Sequence, residues 1–234
     1  HLLFLLNQID MNIEIQLRLK EIEVYLNGYM DEGKQFFASS SFQSHSIPML
    51  HILNTIAPNF PVYFIDTGFH FPETLEFRDQ ITNQLNLNVK NQRGATSLVN
   101  QLTKEDRFLF QSDPGYCCTI NKTQPMDSLM MQYDIWITGV RKDQNANRSS
   151  MGYEAEGLHN TMRFHPMIHW NSKMIWEYRK THNLPTHPLE EQGFLSIGCL
   201  PCTQKFSLET EDDRGGRWKG MKKNECGLHT DLIK

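Results

Sequence analysis

The sequence predicts an α/β protein: a parallel sheet wound by helices on both faces, followed by an irregular C-terminal tail. Three observations predict it. Apolar runs of strand length alternate with stretches of helical periodicity from Ile15 to about His182. Polar turns follow three of the strand-like runs. Beyond His182 the periodicity stops while Pro, Gly and charge become frequent.

Taken in order, Ile15, Leu19, Ile22 and Leu26 form the stripe of an amphipathic helix that should end near Gly28. QFFASSSF reads as a buried strand entering a polar turn, and SIPMLHILNTI as the helix after it. PVYFIDTG repeats the strand and turn, and PETLEFRDQITNQL the helix, with Pro72 suited to a first helical turn. LNVKN is a weaker strand, residues 117 to 133 are helical in pattern, DIWITGVR is a strand, RFHPMI a short one, and KMIWEYRKTH a helix. This divides the chain into a helical extension (1–30), an α/β domain (31–205) and a flexible tail (206–234).

The 234 residues are 39% hydrophobic, enough for a sizeable core, and carry a formal net charge of -4. That balance argues against a nucleic-acid partner. The six-residue run HLLFLL is too short for a membrane span or a signal-peptide core, so a cytoplasmic protein with no membrane association is expected. Met11 would serve as a start residue, leaving the first ten as upstream extension. A homo-oligomer stays open.

In parallel α/β sheets ligands bind beyond the carboxyl ends of the strands. Three turns fall there: Ser39-Ser40-Ser41, Asp66-Thr67-Gly68 and Thr138-Gly139-Val140-Arg141. Each alone is an ordinary loop; together they favour a nucleotide or similar anion in one crevice. Asp66 and Thr67 would touch its ribose or base, with capping of the next helix as the rival role.

Five cysteines are an awkward number for a disulfide-stapled fold. Cys117-Cys118 and Cys199-Leu200-Pro201-Cys202 make a four-thiol set. A structural zinc would use such a set, but neighbouring side chains diverge and would be strained on one small ion; a 4Fe-4S cube offers them separate irons. Cys226 stands apart behind Arg214, Arg217, Lys219, Lys222 and Lys223, cations that would favour its thiolate. With four thiols on metal, no resolving cysteine would remain for it. His229 is close enough in sequence to tune it. His165, His169, His182 and His187 fit no standard metal spacing and are read as solvated or capping.

CCTINK, SIGCLPCT, GGRWKG and ECGLH, in that order, together with DTGFHFPET and TGVRKDQ, resemble the assimilatory adenylyl-sulfate and phosphoadenylyl-sulfate reductases, in the branch with an iron-sulfur cluster. The resemblance runs from SSSF near residue 39 to His229. It implies an adenine nucleotide alpha hydrolase-like fold and reduction of adenylyl sulfate, or phosphoadenylyl sulfate, to sulfite by a thioredoxin- or glutaredoxin-like dithiol. It also implies Cys226 as nucleophile, Cys117, Cys118, Cys199 and Cys202 as ligands of a 4Fe-4S cluster, and Lys122 beside that cluster. Arg214 and Arg217 would meet the substrate's anionic groups. Two features depart from the family pattern. SSSFQSHS has no glycine and lacks the lysine and aspartate of related ATP-cleaving enzymes, which leaves Gln43 and Ser44 without an assigned role and argues against ATP hydrolysis. Phe69-His70 stands where more basic character is expected. A nucleotide-dependent sulfur-transfer or tRNA-modifying enzyme and a non-enzymatic metal-binding module are the rival classes; the first lacks its ATP loop, and the second gives Cys226 no purpose.

Overall fold

Each strand of the sheet sends alternate side chains to opposite faces, and the sequence fills both faces with apolar groups. A computed structural model describes residues 2–144, 148–206, 217, 227–229 and 231–232. Six strands form one sheet in the order β3-β2-β1-β4-β6-β5. These are β1 (Phe36–Ser39), β2 (Pro61–Ile65), β3 (Asn88–Gln92), β4 (Ile135–Ile137), β5 (Glu154–Glu156) and β6 (Met162–Phe164). All neighbours are parallel except the edge pair β5 and β6.

The period of two decides the layering. Ala38, Val62, Phe64, Ile135 and Ile137 join one core with α1 (Leu2–Asp31), α2 (Ile47–Ile56), α3 (Pro72–Leu85) and Trp170. Phe37, Tyr63, Ile65 and Trp136 point the other way, onto Met126, Leu129, Met130 and Leu232. Phe37, Phe64 and Trp136 are fully buried, and each such side chain contributes roughly 1.5–3 kcal/mol.

The long first helix runs past Gly28 to Asp31, because nothing crowds Gly28 and the chain turns instead at Gly33, whose φ is +68°. Ile15, Ile22, Leu26 and Tyr29 sit in the first core. Tyr29 donates to Glu154 at 2.6 Å and Tyr153 donates to Glu21, which fastens α1 to the β5 edge. The EAE run of β5 has no strand propensity; pairing with β6 and this tie to α1 hold it extended.

The helical pattern over 117 to 133 is three pieces: α5 (Pro114–Cys118), one π-helical turn (Thr119–Thr123) and α6 (Gln124–Met130). Pro125 explains the break. It lacks an N–H, and in a continuous α-helix its ring would strike the carbonyl four residues back, a clash that a wider turn relieves. Between β3 and α5 lies α4 (Leu109–Ser112); α7 (Ser172–Thr181) and α8 (Pro188–Glu191) follow β6. Among the described residues no helix is long and apolar enough to cross a membrane.

Candidate functional site: an anion crevice beside a four-thiol pocket

The carboxyl ends of β1, β2 and β4 open into a cavity of about 520 Å³. Its walls include Ser39, Ser40 and Ser41 from the first turn, Thr138, Gly139 and Arg141 from the third, and Lys122, Arg148, Arg179 and Arg217. The pairing of β1 with β4 brings the first and third turns side by side, as expected for a parallel sheet.

The serines are held in place by hydrogen bonds. Trp136 Nε1 donates to Ser39 Oγ at 2.8 Å, Phe42 N to Ser40 Oγ at 3.1 Å, and Gln43 Nε2 to Ser41 Oγ at 3.0 Å. Gln43 and Ser44, unassigned in the sequence, are fasteners: Gln43 Oε1 accepts from Ile197 N at 2.8 Å and Ser44 Oγ from His187 N at 2.8 Å. They moor the irregular segment before Cys199 to the first turn, where neither glycine nor lysine stands. Thr138 lines the cavity, is 2% exposed, and its Oγ1 has no hydrogen-bond partner among the described residues. A bound anion would satisfy it.

The cations differ in how free they are to meet a ligand. Arg141 is already paired with Asp143 at 2.8 Å and donates to Ser172 at 3.1 Å. Arg179 donates to Pro185 O and Thr186. Arg217 pairs by backbone with Thr203, and its guanidinium lies flat against Gly198, where any Cβ would overlap it. Arg148 and Arg179 were not singled out by the sequence, since a lone arginine in a loop or helix carries no local signal.

The second turn faces elsewhere. Asp66 accepts from Arg93 at 2.5 and 2.9 Å and from Gly68 N at 3.0 Å. Burial pushes its carboxyl up, but these bonds outweigh burial and hold it below the ordinary range. Gly68 takes a φ of +75° with Leu98 packed against it. Thr67 Oγ1 accepts from Phe69 N at 3.2 Å and lies 3.2 Å from Cys199 Sγ. His70 also lines the anion cavity, and burial depresses its pKa to about 4, so Phe69-His70 supplies no positive charge at neutral pH.

Cys117, Cys118, Cys199 and Cys202, all buried, converge on one small pocket with Thr67, Phe69, Phe110, Asn121 and Lys122. Residues about eighty apart in sequence are thereby neighbours, with Leu200 N donating to Phe69 O at 2.7 Å to hold the second pair in place. Burial pushes the Cys117 thiol up to about 11, reinforced by Cys118, and also raises Cys202. Cys199 goes the other way: burial opposes it, but Lys122, Thr67 and Arg217 together favour its thiolate. Among the described residues no group of three or more His, Cys, Asp or Glu is arranged to hold a single metal ion.

Lys122 and Cys199 belong to both cavities, so the crevice and the thiol pocket share a wall. Cys226 and Arg214 lie outside the described residues. Gly227 and Leu228, next along the chain from Cys226, are described: a short turn at Gly227–His229 lies against the π-helical segment, and Leu228 lines the crevice. Of the four histidines, His187 is buried and caps α8 by accepting from Leu189 N at 3.2 Å; His165 is fully buried rather than solvated.

Residues 35–205 match the family model of the phosphoadenosine phosphosulfate reductase domain. An adenosine 5'-phosphosulfate reductase of Salinibacter ruber is 34% identical over 199 residues, 85% of this chain and 79% of that protein. A phosphoadenosine 5'-phosphosulfate reductase of Gloeobacter violaceus is 35% identical over 203 residues, 84% of this chain and 83% of that protein. Among solved structures, phosphoadenylyl-sulfate reductase from Candida auris superposes with a TM-score of 0.64 at 18% identity, covering 76% of this chain and 88% of that one. The NH3-dependent NAD synthetase of Campylobacter jejuni gives 0.51 at 13% identity, covering 73% and 74%. These two show the fold alone, the adenine nucleotide alpha hydrolase-like arrangement.

Proposed function

The chain belongs to the phosphoadenosine phosphosulfate reductase domain family, and we propose that it reduces adenylyl sulfate to sulfite with release of AMP, using an external thioredoxin- or glutaredoxin-like dithiol in the cytoplasm. The observation that carries this reading is the cation-lined crevice at the carboxyl ends of the strands, sharing Lys122 and Cys199 with a four-thiol pocket.

Adenylyl sulfate is a mixed anhydride of sulfate and phosphate. The Cys226 thiolate attacks the sulfur, an S–S bond forms, the S–O bond breaks, and AMP leaves with the electron pair. Nucleophile and sulfuryl group are both negative, so neutralisation is the main physical demand. Arg214, Arg217 and Lys122 meet it, since guanidinium forks match arrays of oxyanion acceptors. Ser39, Ser40, Ser41 and Gly139 border the phosphate or ribose, while Asp66, Thr67 and Gly68 support the site from behind. Arg141 contributes less charge than its position suggests, because Asp143 balances it. His229, three residues on, tunes the thiol. A thiolate of the external dithiol then attacks the Cys226 sulfur and expels sulfite, and its second thiol closes the disulfide. The electrons come from the dithiol, because the other four cysteines line the pocket and none remains to resolve the adduct.

That pocket fits a 4Fe-4S cluster in donor chemistry: four buried thiols face one space, and Cys117 and Cys118, at successive helical positions, suit separate irons. Such a cluster would fix the two cysteine segments together and shape the field at the shared wall. In this reading the α/β unit of residues 31–205 provides the binding site, and the tail 206–234 provides the attacking thiol.

Phosphoadenylyl sulfate is the alternative substrate, since similar relatives carry both names. Steady-state sulfite release with thioredoxin and each nucleotide decides. Faster turnover of adenylyl sulfate supports the reading, turnover of the 3'-phosphorylated nucleotide alone replaces it with the alternative, and sulfite from neither overturns both.

A further inference from the structure

Beside the thiol pocket lies a pair of buried side-chain amides that the reaction above does not use, one of which, Asn121, lines it. Gln101 is 1% exposed and Asn121 4%. Asn121 Nδ2 donates to Gln101 Oε1 at 2.7 Å, and Gln101 Nε2 donates back to Asn121 Oδ1 at 2.9 Å. Two backbone carbonyls fix which way each amide faces. Gln101 Nε2 also donates to Thr96 O at 3.0 Å, and Asn121 Nδ2 to Cys117 O at 3.0 Å. A flip of either amide would set oxygen against oxygen, so the assignment rests on more than the reciprocal pair.

Asn121 sits inside the π-helical turn, and from there its side chain reaches back four residues to the Cys117 carbonyl. The same Nδ2 lies 3.7 Å from Cys117 Sγ, the range of an N–H···S contact. Asn121 lines the thiol pocket, whereas Gln101 does not. Gln101 therefore acts through Asn121, from a separate segment of chain between β3 and α4.

We propose that Gln101 is a positioning residue that aims the Asn121 amide N–H at the Cys117 sulfur, and that this clamp sets how firmly the metal group at the four cysteines is held. The inference rests on the reading of those thiols as an iron-sulfur site. Hydrogen bonds to ligand sulfurs tune such sites, and loss of an outer partner of a metal ligand typically costs roughly 10–100-fold in affinity or activity.

The test compares anaerobically purified full-length protein with Gln101→Met and Asn121→Leu, which keep side-chain bulk and remove the amides. Gln92→Met is the control, because Gln92 Nε2 ties the same helical region through Pro125 O at 3.3 Å without touching Asn121. The readouts are the rate of iron release to a chelator and the Fe–S(Cys) stretching band in resonance Raman. Release should be roughly 10-fold or more faster in both amide variants, with a displaced band, and unchanged in the control. Either amide variant decides if only one folds. Iron in the wild type with wild-type release and band in a folded amide variant overturns the inference alone, as does an equal effect of Gln92→Met. Wild-type protein without iron and sulfide overturns the iron-sulfur reading, and this inference with it.

Discussion

Arg217 lines the anion crevice beside Gly198, close enough to Cys199 and Cys202 of the thiol pocket to act on them electrostatically. Truncation to alanine should cost on the order of 1.5–3 kcal/mol of substrate engagement, read as about a 10–100-fold fall in kcat/KM, because a charged hydrogen-bond donor to a bound anion is lost. Lys205→Ala, at an exposed lysine over the Phe194 ring, should change kcat/KM little. Gly198→Ala makes the complementary test: its Cβ would displace the Arg217 guanidinium, so activity should fall while all four pocket cysteines stay in place. An active Gly198→Ala enzyme would show that the arginine's position is immaterial. Asp66 makes a prediction about pH. Its folded-state pKa lies below the ordinary value, so the carboxylate stabilises the fold above the unfolded pKa, and that stability is lost as pH falls through the folded one. Urea midpoints of wild type and Asp66→Asn should therefore differ at pH 7 and converge in acid; a gap that does not depend on pH would assign the effect to something other than the Arg93 pair.

At the level of elements, the strands of the sheet centre were legible because both of their faces are apolar, and VYFI or IWI can only be buried. What escaped was set by tertiary contacts. The EAE strand is held by its neighbours, the helix expected to stop near Gly28 continues because no partner interrupts it, and the break at Thr119–Thr123 follows from a proline whose effect on a helix depends on the turn it must join. The cysteine spacing pointed to one thiol site, and the structure gathers those four side chains. Arg148, Arg179 and the Gln101–Asn121 pair gave no pattern, since their roles depend on residues far away in the chain. The π-helical turn itself can be tested at Gly94. A Cβ there would overlap the Ile120 carbonyl oxygen, which is backbone and cannot swing aside. Gly94→Ala should destabilise the protein by about 1–3 kcal/mol, measured by chemical denaturation. Stability within error of wild type would mean that the loop after β3 does not press on that turn.

For the whole molecule, buried neutral histidines should set the acid limit of stability. His70, His165 and His187 have pKa values near 4, depressed first by burial. The unfolded chain binds protons on these groups near the ordinary value of 6.5, so between 6.5 and 4 it holds more protons than the native state, and stability falls as pH drops through that window. Denaturation at several pH values should show unfolding accompanied by uptake of up to three protons; pH-independent stability there would contradict the burial of these rings. The proposed reaction, too, belongs to this scale, because the crevice is assembled at the sheet edge while the proposed nucleophile, Cys226, belongs to the C-terminal segment of the sequence. Mass spectrometry of the intact protein after adenylyl sulfate is added without reductant tests this most directly. The expected result is a sulfonate adduct on the peptide containing Cys226, removed by reduced thioredoxin with release of sulfite and absent in Cys226→Ser; an adduct on Cys117, Cys118, Cys199 or Cys202, or sulfite production by the serine variant, would contradict it.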